Sequence, residues 1–426
     1  MPTSAVIRTF AVRTLGCKVN QYETQRLVEQ LEALGWRESA NGDAANLCIV
    51  NTCTVTETAD AKSRQALRRF RRAHPGAIVV AAGCYSERDR AALESIEGVD
   101  YVLDNAEKER LVEVIGLLPD ANTRLPSGIS RFAGHARAFV KVQDGCDHFC
   151  SYCILPYVRG RSRSRPMAAI LDEARGLARN GYRELVLTGV HLGDYGDGAN
   201  GLPELARALD DVEGLLRVRL SSIDPMEVTP ALVETIASVC TACPHLHVSL
   251  QSGSNSVLER MRRDYTREEY IGVAERATAA IPGLSMSTDL MVGFPGETDE
   301  EFADSLDVIE RVGFSKVHVF PFSPRAGTPA AERTDFIAHD VVKRRLARVA
   351  EVAGAAALRH RERFVGGKME ILVEGRTKDG QFHHGFTPNY LKTLVEAPEC
   401  DTGVLLAVRI TSCDATRLYG RPETAS

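Results

Sequence analysis

Short apolar runs alternate with longer helix-like stretches through the first part of the chain. The runs are Thr9–Leu15, Asn46–Val50, Ala77–Ala82 and Tyr101–Leu103. Between the first two, Gln21–Leu34 carries apolar residues at the spacing of an amphipathic helix. Strand–helix alternation of this kind favours a parallel sheet covered by helices. We therefore predict an open α/β domain over residues 1–118.

The alternation resumes after a polar connector, residues 119–134, which contains Pro119 and Pro126. Six further segments are interpreted as strands: Ala138–Val142, Glu184–Thr188, Arg217–Ser221, His245–Leu250, Ser285–Val292 and Lys316–Phe322. Each of the first five is followed by a stretch long enough for a helix. Six βα units predict a partial (βα)6 version of the TIM barrel over residues 135–338. Active sites of such barrels lie on loops at the C-terminal ends of the strands.

The last part of the chain changes character after a long helical stretch, predicted as a connecting helix over residues 339–362. In residues 363–426, apolar and polar side chains alternate at Met369, Ile371 and Val373, and a second apolar run occupies Val404–Ile410. A small β-barrel is the natural prediction for this pattern. The fold class is therefore α/β with three successive structural parts.

Composition narrows the possible functions. The chain is 44% hydrophobic and 26% charged, which is ordinary for a globular protein. No apolar run approaches the roughly 18 residues of a membrane span, and Met1–Phe10 lacks a basic stretch followed by an apolar core. We predict a cytoplasmic protein with no membrane partner.

Basic residues are concentrated locally although the net charge is −5. The segment Ala61–Ala73 contains six basic residues and no acidic residue, and arginines alternate through Arg159–Arg165. A third group opens the connecting helix. The ordinary explanation of any one such run is a solvated helix face, so these runs alone do not establish nucleic-acid binding.

The strongest chemical signal is Cys146-Asp-His-Phe-Cys150-Ser-Tyr-Cys153, shortly after the first predicted barrel strand. Iron–sulfur clusters are held by cysteine thiolates, normally four. Three ligands leave one iron with an open position, and that iron can bind S-adenosylmethionine (SAM) and cleave it to a radical. Zinc is the alternative, but its usual signature is two separated cysteine pairs.

A second group of cysteines is dispersed in the sequence. Cys17, Cys53 and Cys84 each follow one of the first three predicted strands. The strand ends of an open parallel sheet share one edge, where ligands bind, so we expect these cysteines to converge. The alternative is three buried small residues, which would leave their matching positions as coincidence.

The remaining cysteines have simpler interpretations. Cys48 lies inside an apolar strand and is predicted to be core. Cys240 and Cys243 form a Cys-x-x-Cys pair without a second pair to complete a metal site. Cys400 and Cys413 lie in the tail without evident partners.

Weaker candidates for cofactor binding follow three of the predicted barrel strands. Glycines at strand ends allow close approach of the backbone to a ligand, although each could be a simple turn. The candidates are Thr188, Gly189, Gln251, Gly293 and Glu297.

These motifs together resemble the radical-SAM methylthiotransferases over essentially the whole chain. The matching segments are Thr14-Leu-Gly-Cys17-Lys-Val-Asn20-Gln-Tyr-Glu23, Asn51-Thr-Cys53, Gly83-Cys84, the Cys146 triplet and Gln251-Ser-Gly253-Ser. The resemblance implies that Cys17, Cys53 and Cys84 bind an auxiliary [4Fe–4S] cluster. It implies a SAM-binding [4Fe–4S] cluster at Cys146, Cys150 and Cys153. It also implies a C-terminal β-barrel of the TRAM type.

The resemblance further implies a reaction that inserts sulfur at a C–H bond and methylates it. Two SAM molecules are used per turnover, one as methyl source and one as radical source. An external electron donor is expected because no flavin or NAD motif appears, and a sulfur donor is needed as well. No catalytic side chain is expected beyond the cluster ligands.

Two segments resemble the subfamily that acts on threonylcarbamoyladenosine next to the anticodon of tRNA: Cys17–Glu23 and Gly385–Tyr390. The product would be the 2-methylthio derivative, and the partner the anticodon loop. Candidates for substrate binding are the basic residues Arg68, Arg69, Arg71, Arg72, Arg159, Arg161 and Arg163, and the tail residues Phe386, Tyr390 and Lys392. The aromatic residues among them could equally be barrel core.

Other functions stay open at this point. The enzyme could act on isopentenyladenosine tRNA or on an aspartate of a ribosomal protein with the same chemistry. A non-catalytic iron–sulfur protein that binds RNA or senses redox state is a different class. The Cys146 triplet at a barrel strand end argues against the last alternative.

Overall fold

The computed structural model describes residues 8–40, 44–120, 122–396 and 400–423. Most of Met1–Phe10, the segment in which the sequence predicts no signal peptide, lies outside these ranges. Within the described ranges, no helix is long and apolar enough to cross a membrane. The chain forms two compact units. The first draws on residues 1–133, 144–162 and 323–331, and the second on residues 134–143, 163–322 and 332–426.

The first unit contains a five-stranded parallel sheet in the order β2-β1-β3-β4-β5. Its strands are β1 (Thr9–Thr14), β2 (Arg37–Glu38), β3 (Leu47–Thr52), β4 (Ile78–Gly83) and β5 (Tyr101–Leu103). Its helices are α1 (Lys18–Ala33), α2 (Glu57–Ala73), α3 (Cys84–Arg88), α4 (Arg90–Glu94), α5 (Asn105–Glu109), α6 (Leu111–Val114) and α7 (Leu155–Arg159). The predicted open parallel sheet is confirmed, with the addition of the short edge strand β2.

The central strand β3 explains why this part of the sequence reads as a continuous apolar run. Leu47 and Ile49 pack into one core cluster, whereas Cys48 and Val50 pack into the other. Successive strand residues point to opposite faces of a sheet, so a strand covered on both faces needs apolar residues at every position. Cys48 is fully buried, as predicted.

The second unit contains the partial barrel, whose parallel strands follow one another in chain order. The strands from Arg137 to Pro321 are β6 (Arg137–Lys141), β7 (Gln143–Asp144), β8 (Arg163–Ser164), β9 (Glu184–Thr188), β10 (Arg217–Leu220), β11 (Ser222–Ile223), β12 (His245–Val248), β13 (Ser285–Val292) and β14 (Lys316–Pro321). The helices are α8 (Met167–Arg179), α9 (Leu202–Asp210), α10 (Pro230–Ser238), α11 (Asn255–Arg260), α12 (Arg267–Ala280) and α13 (Asp299–Val312), with 3₁₀ turns at Leu192–Asp194 and Pro225–Glu227. A further 3₁₀ turn, Pro329–Glu332, begins in the segment 323–331 of the first unit.

One predicted barrel strand is followed directly by a second short strand. The run Arg217–Ser221 contains β10, which pairs with β9, whereas β11 comes just after this run and pairs with β12. The two short strands therefore make adjacent sections of the barrel wall. The predicted partial barrel is confirmed, with six strand positions around its wall.

The second unit ends in the predicted small β-barrel. Helix α14 (His339–Glu362) leads into five strands that close in the order β15-β16-β17-β19-β18. They are β15 (Lys368–Arg376), β16 (His383–Phe386), β17 (Lys392–Val395), β18 (Leu405–Cys413) and β19 (Leu418–Pro422). Their inward residues, such as Ile371, Val373 and Val408, are fully buried in one cluster.

Candidate functional site

Three cysteines occupy one edge of the sheet in the first unit. Cys17 lies just beyond β1 and precedes α1, Cys53 directly follows β3, and Cys84 directly follows β4. Because β1, β3 and β4 are parallel neighbours, their C-terminal ends lie side by side. Burial chiefly raises the pKa of the Cys17 and Cys53 thiols, and the neighbouring Cys84 raises both further. The structure thus brings together the residues that the sequence had only suggested would meet.

Two glycines make this convergence possible. Gly16 has φ +102° and Gly83 has φ +112°, both in the left-handed region that disfavours other residues. A Cβ atom on Gly16 would lie 2.9 Å from both Cβ and Sγ of Cys53. A Cβ on Gly83 would lie 2.7 Å from Oδ1 of Asn51. The backbone beside the cysteines therefore packs too closely for any side chain.

Buried amide side chains hold the cysteine-bearing loops in place. Asn20 donates from Nδ2 to the backbone oxygens of Leu15, at 2.7 Å, and Thr52, at 3.0 Å. Asn51 donates from Nδ2 to the backbone oxygen of Asn20, at 2.9 Å. These bonds link α1 to the ends of β1 and β3. Asn20 belongs to the motif after Cys17, and this geometry gives it a structural role.

The second group, Cys146, Cys150 and Cys153, lies on one loop of the same compact unit. A Cβ on Gly145, which has φ +78°, would lie 2.0 Å from the backbone oxygen of Arg161, so only glycine fits. The amide of His148 donates to Sγ of Cys146 at 3.4 Å, and the amide of Leu155 donates to Sγ of Cys153 at 3.5 Å. Backbone N–H groups directed at sulfur stabilise negative charge on a thiolate.

The charged side chain of Arg159 contacts the first group, and it is only 4% exposed. Its Nε lies 3.1 Å from Sγ of Cys84 and its Nη1 lies 2.7 Å from Oε1 of Glu23. Asp144 accepts from Nη1 at 3.2 Å, and Asn20 accepts from Nη2. Burial alone would lower the pKa of Arg159, but Glu23, Cys84 and Asp144 raise it well above its usual value. The side chain is therefore a fixed positive charge.

The two cysteine groups fit iron–sulfur clusters in their donor chemistry. None of the eleven cysteines, all of which lie in the described ranges, forms a disulfide. Burial raises the pKa of the Cys53 thiol to about 11. Burial of the thiol by surrounding protein raises the pKa of Cys17, and the positive charge of Arg159 opposes part of this increase. One side of the residue is nevertheless open to solvent. Thiols of this kind need a bound metal to deprotonate them, and sulfur donors suit iron–sulfur clusters.

The five weaker cofactor candidates lie at C-terminal ends of barrel strands in the second unit, where ligands of such barrels bind. Gln251 has φ 62°, which is unusual for a residue with a side chain. Among the described residues, its buried Oε1 atom has no hydrogen-bond partner. Strained backbone and an unpaired buried polar atom are common at functional sites. Gln251 is therefore the best supported of the five.

Glu297 has a different environment. Its Oε2 accepts from the amide of Gly293 at 2.8 Å and from Nη1 of Arg345 at 2.7 Å. Arg345 also contacts Asp299 at 2.7 Å. The carboxylate thus fixes the loop that follows β13, which keeps the Gly293 backbone in position.

The basic run on α2 divides into two kinds of residue. Arg68, Arg69 and Arg72 are exposed. Arg71 instead forms an ion pair with Asp100 at 2.6 Å and donates to the backbone oxygen of Gly98 at 2.7 Å. Arg71 therefore has a structural role, and we no longer include it among the candidates for substrate binding.

The arginines after the Cys146 triplet also separate. Arg159 is buried against Cys84 and cannot reach a substrate carboxylate. Arg161 is exposed and pairs with Asp147 at 3.1 Å. Arg163 is exposed as well. Only the last two remain candidates for substrate contact.

Two of the candidate tail residues pack against the barrel. The rings of Phe386 and Tyr390 stack with centroids 4.8 Å apart. The guanidinium of Arg137 lies 4.8 Å and 5.0 Å from those centroids, and that of Arg219 lies 4.5 Å from Tyr390. His245 also lies 4.8 Å from Tyr390. We therefore assign Phe386 and Tyr390 a packing role, whereas Lys392 stays exposed.

This packing occurs at the N-terminal ends of the barrel strands, because Arg137, Glu184 and His245 are the first residues of β6, β9 and β12. Glu184 is fully buried and contacts Arg219 at 2.8 Å and Arg217 at 3.6 Å. Burial would raise the pKa of Glu184, yet the arginines hold it below its usual value. Buried charge is here neutralised by its neighbours.

Sequence reasoning missed the contact of Arg159 with Cys84 and the buried pair between Lys108 and Glu23, at 2.7 Å. No local sequence pattern indicates either of these two contacts. Another missed feature did have a signal, because glycine directly precedes cysteine at Gly16, Gly83 and Gly145, and all three glycines have positive φ.

Comparison with known proteins agrees with this architecture. The Radical SAM superfamily matches residues 140–309, and the Uncharacterized protein family UPF0004 matches residues 9–104. The fold is similar to that of the radical SAM methyltransferase TsrM from Kitasatospora setae, with a TM-score of 0.57 at 17% identity, covering 76% of this chain and 77% of that one. The barrel and its cysteine loop are thus those of a radical SAM enzyme, a class that uses a [4Fe–4S] cluster and SAM.

Curated relatives narrow the class. The threonylcarbamoyladenosine tRNA methylthiotransferase MtaB of Chlamydia pneumoniae is 42% identical over 99% of each chain, and MtaB of Bacillus subtilis is 36% identical over 94% of this chain and 93% of its own. The tRNA-2-methylthio-N(6)-dimethylallyladenosine synthase of Carboxydothermus hydrogenoformans is 34% identical over 97% and 99%. This chain belongs to the radical SAM tRNA methylthiotransferase family, and it is a transferase.

The close approach of Gly16 to Cys53 generates a stability prediction. Gly16→Ala combines strained φ with a steric clash, whereas Gly35→Ala at φ +79° has no atom within 4 Å of the new Cβ. We expect Gly35→Ala to cost about 1 kcal/mol of unfolding free energy and Gly16→Ala roughly 1–3 kcal/mol more. Urea denaturation of the two variants measures the difference. Equal losses would show that Cys53 does not constrain Gly16.

Proposed function

We propose that this protein methylthiolates carbon 2 of N6-threonylcarbamoyladenosine next to the anticodon of tRNA, acting in the cytoplasm. The observation that carries the proposal is the pairing of two three-cysteine groups in one compact unit of a chain that aligns end to end with an MtaB protein. The 42% identity to that relative exceeds the 34% and 37% identities to two dimethylallyladenosine synthases. The threonylcarbamoyl adduct is therefore our choice of substrate.

Each cysteine group would hold one [4Fe–4S] cluster through three thiolates. Cys17, Cys53 and Cys84 would ligate the auxiliary cluster, and Cys146, Cys150 and Cys153 the SAM-binding cluster. When bound, the clusters and two SAM molecules per turnover supply the radical and the methylated sulfur of the family reaction. The chain's own contribution is to direct backbone amides and Arg159 at the ligand sulfurs and to position SAM and tRNA.

The SAM site would lie at the C-terminal ends of the barrel strands. Gln251 would use its unpaired buried Oε1 to contact the ligand. Thr188, Gly189 and Gly293 would offer backbone groups, and Glu297 would hold the Gly293 loop through Arg345. An external electron donor and a sulfur donor complete the set of partners.

The tRNA surface would include the exposed arginines of α2, namely Arg68, Arg69 and Arg72. Arg161, Arg163 and Lys392 are further exposed cations. Residues 363–426 carry 8 basic and 8 acidic residues, so the tail as a whole is neutral. Local patches must therefore provide the phosphate contacts.

Cluster content tests the two ligand sets. Anaerobically reconstituted protein should hold about eight iron atoms per chain, as two cubane clusters do. Replacing Cys146, Cys150 and Cys153 together by Ala should halve the iron and abolish SAM cleavage. The same change at Cys17, Cys53 and Cys84 should halve the iron but spare some SAM cleavage. Cys240→Ala/Cys243→Ala is the matched control and should keep all the iron. Full iron in the Cys17 triple variant would contradict the auxiliary site.

Salt dependence tests the α2 surface. Changing Arg68, Arg69 and Arg72 to Gln should weaken tRNA binding. The slope of log K against log salt concentration should become shallower by about 0.7–0.9 for each lost phosphate contact. The same change at the exposed residues Arg37, Arg110 and Arg124 removes equal charge elsewhere on the unit. An identical slope in wild type and the α2 variant would show that these arginines form a solvated helix face and do not contact tRNA.

The substrate is tested with two tRNA preparations that differ only in the adenosine modification. Purified enzyme with SAM, reductant and sulfide should yield the 2-methylthio nucleoside on tRNA carrying the threonylcarbamoyl group and none on tRNA lacking it. Nucleoside mass spectrometry detects both products. Product on isopentenyladenosine tRNA instead, or on ribosomal protein, would overturn the substrate while leaving the reaction class intact.

A further inference from the structure

Arg159 links the two cysteine groups through one side chain. Its helix, α7, begins shortly after Cys153, whereas its guanidinium reaches the first group and lies 3.1 Å from Sγ of Cys84. Cys84 follows β4 at the edge of the sheet. A donor carried by one cysteine-bearing segment therefore serves a sulfur atom of the other.

The position of this guanidinium is fixed from several sides. Glu23 accepts from Nη1 at 2.7 Å, Asp144 accepts from Nη1 at 3.2 Å, and Asn20 accepts from Nη2. Glu23 is itself held by Lys108, at 2.7 Å. Nε remains for sulfur, so the rigid fork of the arginine places its N–H at Cys84.

The local charges nearly cancel before any cluster is considered. Arg159 and Lys108 are positive, whereas Glu23 and Asp144 are negative. Because these four charges balance, the main effect of the site on Cys84 is the hydrogen bond that Nε of Arg159 donates to its Sγ at 3.1 Å. Because an arginine does not lose its proton in proteins, the bond is present at all working pH values.

Hydrogen bonds to ligand sulfurs change the electron affinity of an iron–sulfur cluster. Adding one electron from an external reductant increases the negative charge on the sulfurs, and no proton is taken up from Arg159. A donor at Cys84 stabilises the reduced state more than the oxidised state. The reduction potential of the cluster is then higher than it would be without this bond.

We propose that Arg159 is a positioning residue that donates to Cys84 Sγ and raises the reduction potential of the cluster held by Cys17, Cys53 and Cys84. The inference rests on the proposed function, which assigns those cysteines as cluster ligands. It replaces the expectation that Arg159 contacts a substrate carboxylate. It also makes the segment after the second group part of the surroundings of the first.

The test is a potentiometric titration of the reconstituted full-length protein, followed by electron paramagnetic resonance. Adding SAM identifies the signal of the SAM-binding cluster, and the other signal reports the auxiliary cluster. In Arg159→Gln, the ratio of reduced to oxidised auxiliary cluster at a fixed potential should fall about tenfold, which is about 59 mV for one electron. The signal that responds to SAM should keep its potential.

Arg37→Gln is the matched control, because it removes an exposed arginine from the edge strand β2 of the same unit and should leave both potentials unchanged. An unchanged auxiliary potential in Arg159→Gln, with both clusters present, would overturn this inference alone. A wild-type protein with one cluster would overturn it together with the assignment of the auxiliary site.

Removing Arg159 leaves two buried carboxylates with less compensation, so the Gln variant could fail to fold. Arg159→Lys keeps the positive charge but loses the planar fork that reaches Glu23 and Cys84 together. We expect this variant to fold, to hold about eight irons and to show a smaller fall in the same potential. An unchanged potential in the Lys variant would overturn the proposal.

Discussion

Three parallel strands that end side by side create the geometry on which the N-terminal site depends. Cys17, Cys53 and Cys84 are far apart in the sequence, and the adjacent ends of β1, β3 and β4 bring them to one edge of the sheet. The arrangement requires backbone to pass very close to side chains. Gly16 and Gly83 meet that requirement, and Asn20 ties the helix after the first strand to the strand ends.

Buried charge is compensated within each compact unit. In the first unit Glu23 lies between Arg159 and Lys108, and in the second Glu184 lies among three arginines. Breaking such a pair is costly because it leaves a desolvated charge, whereas the intact pair adds little net stability. Its main effect is therefore on geometry. Around Glu184 it holds the tail against the barrel, and around Glu23 it orients a donor at Cys84.

The sequence was most informative where hydrophobic pattern and topology act together. Strands such as β3 and β4 are apolar because both faces of their sheet are buried, and cysteines at strand ends could be inferred to converge. The edge strand β2 escaped prediction because Arg37 and Glu38 are exposed and carry no apolar pattern. Arg71 and Arg159 looked like members of basic runs, since charge pattern alone cannot distinguish a solvated arginine from one that binds backbone oxygens or sulfur.

The tail motif Gly385–Tyr390 shows how a subfamily signature differs from a recognition site. The rings of Phe386 and Tyr390 pack against the guanidinium groups of Arg137 and Arg219 at the N-terminal ends of the barrel strands. Asn389 donates a hydrogen bond to the backbone oxygen of Gly283 at the same end. Ligands of such barrels bind at the opposite, C-terminal ends. Under the proposed function the adenosine reacts at those C-terminal ends, so we expect the residues that discriminate between adenosine adducts to lie outside this motif. The motif itself contributes by fixing how the tail is attached to the barrel.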